Sequence, residues 1–319
     1  MSKLYASITN CSDIISVQVS NGHSMQLSAA VVECVSTSLD IGSAITIDLG
    51  YTDNHTVIFV GFVKQIEVKE PERIYQITCS DYLVRAVEYF IASTNPQTPL
   101  KYGPASAEAF VGFVLAQAGI TDYSYDTSGY TWCIHGPTDI NLTTSYDYAK
   151  YLADMIVWNL WNSSNSTTIN FKDRKPYVMG GDTSIGTITA TKILDIRNGK
   201  TDKNLRNRIV VYGYNNVYAE AKASSPYLPA GYYRSVVVSA PQIIDTQDMA
   251  QRTCDYNLPA LNRLTYQLNL SVIGDPLYIS RKVITVNYPN FGINANWYIY
   301  HADHAWGKGG YTCSLDLWT

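Results

Sequence analysis

His301, Asp303 and His304 form a group of potential metal ligands near the end of the sequence. On a helix, histidines three residues apart would share a face and could bind zinc together. Here they follow a predicted strand, Trp297–His301, and on a strand positions three apart point to opposite faces. We therefore interpret both histidines as structural and predict neither a bound metal nor another cofactor.

The cysteines also lack the spacing of a metal site, because no two of them form a Cys-x-x-Cys pair. Several lie at apolar positions of apparent strands, and the chain is too long to need a disulfide scaffold. We predict that all six are small, reduced core residues. They are Cys11, Cys34, Cys79, Cys133, Cys254 and Cys313.

Other catalytic motifs are missing as well. The sequence contains no Gly-x-Ser-x-Gly nucleophile elbow and no glycine-rich phosphate loop. Its 27 acidic residues could always supply the two carboxylates of a glycoside hydrolase, so their number decides nothing. We predict that the protein is not an enzyme. A cell-wall-degrading enzyme and a carbohydrate- or receptor-binding β-protein stay open as alternatives.

The composition limits the class of protein further. A net charge of −4 gives no electrostatic reason to wrap nucleic acid. Only 16% of the residues are charged, whereas 26 are tyrosine, a residue that suits surfaces that later become interfaces. The first twelve residues lack a signal-peptide core, and no apolar run reaches the length of a membrane span. We therefore expect synthesis in the cytoplasm.

The C-terminal region alternates between apolar and polar residues, which predicts strands with one buried face. The predicted strands are Leu264–Val272, Ile284–Tyr288, Trp297–His301 and Tyr311–Leu317. Gly307–Gly310 supplies the positive φ angles of a tight turn. Four strands with turn residues between them predict an antiparallel barrel or sandwich.

The middle of the chain has helical periodicity instead. Apolar stripes predict helices over Ala105–Ala118, Thr144–Leu160 and Asp245–Leu258, the last one ending near Pro259. A shorter helical pattern follows Ser80. Thr168–Phe171 and Pro176–Met179 predict a small hairpin, and the proline-rich segment Asn95–Pro104 predicts a linker.

Three segments near the N-terminus are paralleled by three near the C-terminus, in the same order and about 240 residues apart. The pairs are Ile45–Tyr51 with Ile284–Asn290, Val57–Gly61 with Trp297–His301, and Arg73–Ile77 with Gly310–Ser314. We predict a mainly β fold in which a small α/β insertion separates two similar antiparallel β-barrels. The predicted domains are a first barrel over 1–92, the insertion over 93–195 and a second barrel over 196–319, beginning with Ile209–Gly213.

These segments resemble the baseplate hub proteins of phage tails, a family that includes late-control-D proteins and the hub part of type VI secretion spikes. Four stretches carry the resemblance in the family's order: Asp48–Val63, Leu205–Gly213, Ile273–Leu277 and Tyr298–Thr312. The sequence departs from the family in one place. The family often has Leu-x-x-Gly after its Gly-x-Pro turn, whereas here Ser280-Arg281 follows Tyr278-Ile279.

The resemblance implies a structural virion protein, located in the tail or baseplate of a phage or a related contractile injection system. It implies a homotrimer that joins a sixfold tail tube to a threefold central spike and surrounds a channel for the genome. The implied partners are the tail tube protein, the spike, the tape measure protein and other baseplate proteins, with DNA only passing through. Loop residues beside the repeated strands are our candidate assembly contacts: Tyr51, Asp53, Asn54, Tyr288, Asn290 and Phe291.

Overall fold

Strands dominate the computed structural model, which describes residues 3–92 and 100–319. The N-terminal strands are β1 Leu4–Ile8, β2 Cys11–Gly22, β3 Ala29–Thr37, β4 Ala44–Tyr51, β5 Asn54–Lys69 and β6 Ile74–Asp81. The middle strands are β7 Phe90–Ile91, β8 Lys101–Tyr102, β9 Ala105–Ser106, β10 Tyr123–Tyr125, β11 Thr131–Trp132, β12 Thr138–Asp139, β13 Thr143–Thr144, β14 Asn159–Asn162 and β15 Ile169–Lys172. The remaining strands are β16 Ser184–Thr189, β17 Ile193–Thr201, β18 Arg208–Tyr212, β19 Tyr218–Lys222, β20 Ser235–Ser239, β21 Thr265–Ile273, β22 Val283–Tyr288, β23 Ile293–Gly307 and β24 Gly310–Trp318. The helices are α1 Val84–Glu88, α2 Ala107–Gln117, α3 Ser145–Met155 and α4 Gln247–Leu261.

Twelve strands form one large sheet with two halves. The N-terminal half has the strand order β1-β4-β5-β6-β3-β2, and the C-terminal half has the order β16-β22-β23-β24-β21-β17. Alternate residues of both halves, such as Val17, Ile47, Leu270 and Leu315, are buried in one shared hydrophobic cluster. The predicted mainly β fold is therefore confirmed, and its predicted barrel regions contribute to a common core.

A second hydrophobic core contains the middle of the chain together with β18, β19, β20 and α4. The expectation that Ile209–Gly213 begins the second barrel is wrong. β18 pairs with β19 and β20 in a separate three-stranded sheet, and Ile209 and Val211 pack in the second core. The predicted domain limits at 92/93 and 195/196 stay predictions. In the described part of the chain, no helix is long and apolar enough to cross a membrane.

The predicted helices begin within two residues of the observed ones, and their caps explain where they begin. The side chain of Thr144 accepts a hydrogen bond from the amide of Asp147 at the start of α3. The prediction that this helix continues to Leu160 is wrong, because α3 ends at Met155, and Asn159 and Leu160 belong to β14. Val157, between α3 and β14, has a φ of +58°, which cannot continue an α-helix.

α4 continues to Leu261, so Pro259 lies within the helix instead of ending it. We expected the helix to end at Leu258 because a proline removes a backbone donor and disfavours helical geometry in the residue before it. The helix instead continues for three residues, and the Asn262 amide closes it by donating to the Leu258 carbonyl at 2.9 Å.

The predicted small hairpin has a different first strand. Ile169–Lys172 pairs with Asn159–Asn162, whereas Pro176–Met179 lies in a loop after it. The predicted linker, Asn95–Pro104, lies partly outside the described residues. Of its remaining part, Lys101–Tyr102 pairs with Thr138–Asp139 as a short strand.

Candidate assembly interface

The two halves of the large sheet match each other strand by strand. β1, β4, β5, β6, β3 and β2 correspond in order to β16, β22, β23, β24, β21 and β17. Two irregularities also recur. β2 bulges between Ile14 and Ser16 where β17 bulges between Ile193 and Asp195, and β5 and β23 share a second bulge. Bulges are specific features of a fold, so their recurrence indicates that the halves are structural copies. One difference is that β1 pairs antiparallel with β4, whereas β16 pairs parallel with β22.

The ladders define which residues correspond. Ala44 faces Phe62 and Val283 faces Tyr298, which aligns Ile45 with Ile284 as predicted. The second predicted pairing was wrong by four residues, because the ladders align Gly61, not Val57, with Trp297.

The third predicted pairing was wrong by one residue. Ile74 and Thr312 occupy equivalent ladder positions, whereas the sequence pattern had aligned Ile74 with Tyr311. Side chains on a strand alternate between faces, so the corrected register puts buried Ile77 in the place of buried Leu315.

The copies meet where β2 of the first half pairs with β23 of the second, from Ser16 opposite Gly307 to Gly22 opposite His301. Val19 lies on the inner face of this junction opposite His304, and both are 1% exposed. The junction therefore continues the hydrophobic core from one half into the other.

Arg281 contacts both this junction and the middle part of the chain. Its guanidinium donates hydrogen bonds to the backbone carbonyls of Gly22 and His23, at 2.9 and 3.0 Å, and lies 5.1 Å from the ring of Trp161. Burial lowers the pKa of Arg281 to about 10, although nearby tyrosines and Asp81 partly offset this effect. Arg281 has a φ of +68°, the left-handed region that glycine adopts most easily. It belongs to the stretch in which the sequence departs from the hub family's pattern.

His23 is held on the same side of the junction. The Asn159 amide lies 2.7 Å from Nε2 and the Tyr298 hydroxyl lies 2.6 Å from Nδ1. Burial, followed by the positive charge of Arg281, lowers the pKa of His23 to about 3. His23 is thus a neutral, hydrogen-bonded contact between both halves and the middle part. No sequence motif identifies His23, because its partners are 136 and 275 positions away.

His301 and His304 lie inside β23, not after a strand, and their environments differ. His304 is buried, its Nε2–H donates to the Tyr278 carbonyl at 2.9 Å, and its Nδ1 lies 2.7 Å from the Tyr311 hydroxyl. Burial lowers the pKa of His304 to about 4. His301 is half-buried and pairs with Asp303 at 2.9 Å, which raises its pKa. The interpretation of both as structural residues agrees with these contacts.

The six candidate assembly contacts lie in two equivalent connections. Tyr51, Asp53 and Asn54 lie where β4 turns into β5, and Asp53 and Asn54 are exposed. Tyr51 is half-buried instead, because its ring centroid lies 6.0 Å from that of Tyr311 in the other half. Burial raises the pKa of Tyr51. Tyr51 thus contributes to the contact between the halves.

Tyr288, Asn290 and Phe291 lie where β22 turns into β23. Phe291 is 59% exposed and stacks on half-buried Tyr288, with their ring centroids 5.1 Å apart. Asn290 is exposed beside them. The structure therefore places the two groups at equivalent turns without bringing them together, and their role in assembly stays a proposal.

Structural comparison identifies the fold. No protein-family model matches the sequence, and no curated protein matches it. The tail protein from Neisseria meningitidis MC58 matches with a TM-score of 0.69 at 11% identity, over 99% of this chain and 97% of that one. The 43 kDa tail protein of prophage MuSo2 from Shewanella oneidensis matches with a TM-score of 0.67 at 12% identity, over 99% and 98%.

A component of the E. coli type VI secretion system, described as structurally similar to bacteriophage T4 tail proteins, matches with a TM-score of 0.54 at 8% identity. The match covers 98% of this chain and 76% of that one. The chain therefore has the fold shared by these phage tail proteins and this type VI secretion component. These identities are too low to transfer a function, so the function is a separate question.

Proposed function

We propose that this protein is a structural tail hub whose homotrimer joins a sixfold tail tube to a threefold spike and encloses the channel for the genome. The observation that carries the proposal is the strand-by-strand correspondence of the two halves. A trimer of such chains offers six similar units around one axis, which suits a sixfold tube. Three copies of the rest of the chain suit a threefold spike.

The loop residues fit a contact with the tube under this proposal. The turns that contain Asp53 and Phe291 join equivalent strands, so a trimer would present six similar turns on one side of a ring. The exposed aromatic ring of Phe291 suits an interface. The proposed partners are the tail tube protein, the central spike, the tape measure protein and other baseplate proteins, with location in the virion tail.

The mass of the purified protein tests the proposal. We expect three times the chain mass of 35.5 kDa in native mass spectrometry or light scattering, at micromolar concentration or in the presence of the spike. A protein that stays monomeric under all of these conditions, and is monomeric inside assembled tails, would refute the trimeric hub.

The hydrolase alternative has its own test. The similar solved structures are phage tail proteins, which supports a non-enzymatic role. We expect the purified protein to leave peptidoglycan intact in a zymogram. Clearing that disappears when one acidic residue is replaced would support the enzyme instead.

A further inference from the structure

The correspondence between the halves reveals two strand edges that have equivalents at the internal junction. Neither edge has a partner strand in the part of the chain that the structure describes. β23 pairs with β2 along His301–Gly307, and within β5 the segment Gln65–Lys69 is equivalent to His301–Ala305. β2 itself corresponds to β17, in which Asp195–Thr201 takes the place of Ser16–Gly22. Within residues 3–92 and 100–319, the ladder of β17 has one neighbour, β21, and β4 pairs with β5 no further than Phe62.

The residues at the two open edges are more exposed than their equivalents at the internal junction, as expected if each edge lacks a neighbouring strand. Val19 and His304 are each 1% exposed at the internal junction, whereas their equivalents Asn198 and Val68 are exposed, Val68 to 48%. An edge strand with open backbone groups is a template for pairing with another chain.

We infer that, in the trimer, β17 of each copy pairs antiparallel with the end of β5 of the next copy, in the register of the internal junction. This inference rests on the proposed function and specifies its subunit contact. Because Gln18 faces Ala305, Arg197 faces Lys69 of the neighbouring copy. The facing pairs then run from Arg197 with Lys69, through Asn198 with Val68, to Thr201 with Gln65. We call this contact the seam.

The inner side of the seam has a place for apolar side chains. Ile196 and Ile66 are already half-buried against the shared core, and Val68 lies on the same face as Ile66. A groove of 290 Å³ opens beside β17, between Asn198–Lys200 and the side chains of Leu268, Ile293 and Trp297. Ile66 and Val68 of the next copy would enter this groove. The occupant of the groove is therefore a second copy of the same chain.

The outer side of the seam carries opposite charges at diagonal positions. Arg197 lies diagonal to Glu67 of the next copy, and Asp195 lies diagonal to Lys69, and such pairs are within reach of long side chains. Arg197 also faces Lys69 directly, which is a like-charge pair. Lys69 is already paired with Glu33, and Arg197 with Asp195, so both charges have a compensating partner.

Cysteine cross-linking tests the register, and the chain supplies its own control. The test variant combines Arg197→Cys with Lys69→Cys. The matched control combines Gln18→Cys with Ala305→Cys, which occupy the same ladder positions inside one chain. A slipped control combines Arg197→Cys with Val68→Cys, whose side chains would point to opposite faces. Each is oxidised at a concentration where the mass is trimeric and is then run on a non-reducing gel. A short bismaleimide replaces the oxidant if the matched control does not react.

We expect the test variant to give covalent dimers and trimers, the matched control to cross-link within one chain, and the slipped control to give at least tenfold less product. A trimeric mass with an unlinked test variant, while the matched control links, would overturn the seam and leave the hub proposal intact. A monomeric mass at every concentration would overturn the hub proposal and the seam with it.

Discussion

Val68→Lys should weaken trimer formation without destabilising the monomer. Val68 is 48% exposed on β5 and lies on the inner side of the seam. Its replacement adds a charge at a position where the isolated chain leaves the side chain in water. Val35 provides a matched control because it is also 48% exposed, on β3, whose two edges are already occupied by β2 and β6.

The magnitude follows from the burial of Val68. Complete burial of a valine side chain contributes about 1.5–3 kcal/mol, so burying its remaining half contributes about 1 kcal/mol per seam. A lysine at this position would also lie diagonal to Lys200 of the neighbouring copy, and like charges on adjacent strands add up to about 1 kcal/mol. Three seams then lose about 6 kcal/mol together, which lowers the trimer association constant by about 10⁴.

Because trimer association depends on the square of the concentration, half-assembly should move to about a hundredfold higher protein concentration. Light scattering over a dilution series measures this shift. Urea unfolding should show both lysine variants within about 0.5 kcal/mol of the unmodified chain when each is monomeric. A Val68→Lys protein that assembles like Val35→Lys would refute the seam as the subunit contact.

Three further predictions concern the monomer. Arg281→Ala should lower the unfolding free energy by about 3 kcal/mol, because two partly buried carbonyls lose a charged donor. Arg281→Lys should restore part of this loss, and an unchanged urea midpoint would contradict the role of Arg281. The folded-state pKa of His304 is lowered to about 4, so its stabilising contribution is complete above about pH 6.5 and is lost as pH falls toward 4. Glutamine at this position can make similar hydrogen bonds but does not titrate. Between pH 7.5 and 4.5, the unfolding free energy of His304→Gln, measured by urea titration, should fall by up to about 3 kcal/mol less than that of the unmodified protein. An equal fall in both proteins would be inconsistent with this role of His304. A thiol reagent should modify at most Cys11 in the native protein, because the other five thiols are buried. After denaturation it should modify six thiols, and a lower total would reveal a disulfide.

The sequence predicted the repeat better than its register, for a physical reason. Ile45 and Ile284 were aligned correctly because each is the second residue of a short strand with clear alternation. Val57–Val63 is almost continuously apolar, so it has no period that could fix one alignment over another. The four-residue error followed from that, and only the ladder to β4 corrected it.

The local sequence pattern also could not predict which of the two hydrophobic cores contains Ile209–Val211. Ile209–Val211 is a short apolar run that would suit either the large sheet or a separate one. Its pairing with β20 and its packing beside α4 depend on residues roughly 25 to 50 positions later in the chain. Sequence periodicity describes a window of about 11–18 residues and does not report contacts at that distance. The contacts of Arg281 with Gly22 and His23 are longer in range still, and no motif predicts them.

The two open edges differ from an ordinary exposed strand because they belong to the same chain and complement each other. β17 and the end of β5 stand in the relation that β2 and β23 already satisfy internally, so the contact between copies runs head to tail. A head-to-tail contact either closes into a ring or continues as a filament. Closure uses both of these edges in every copy, which removes the aggregation risk that the two would carry as open strands. The same strand pairing would then hold the halves together within a chain and between chains, and a ring of three chains would alternate six such junctions.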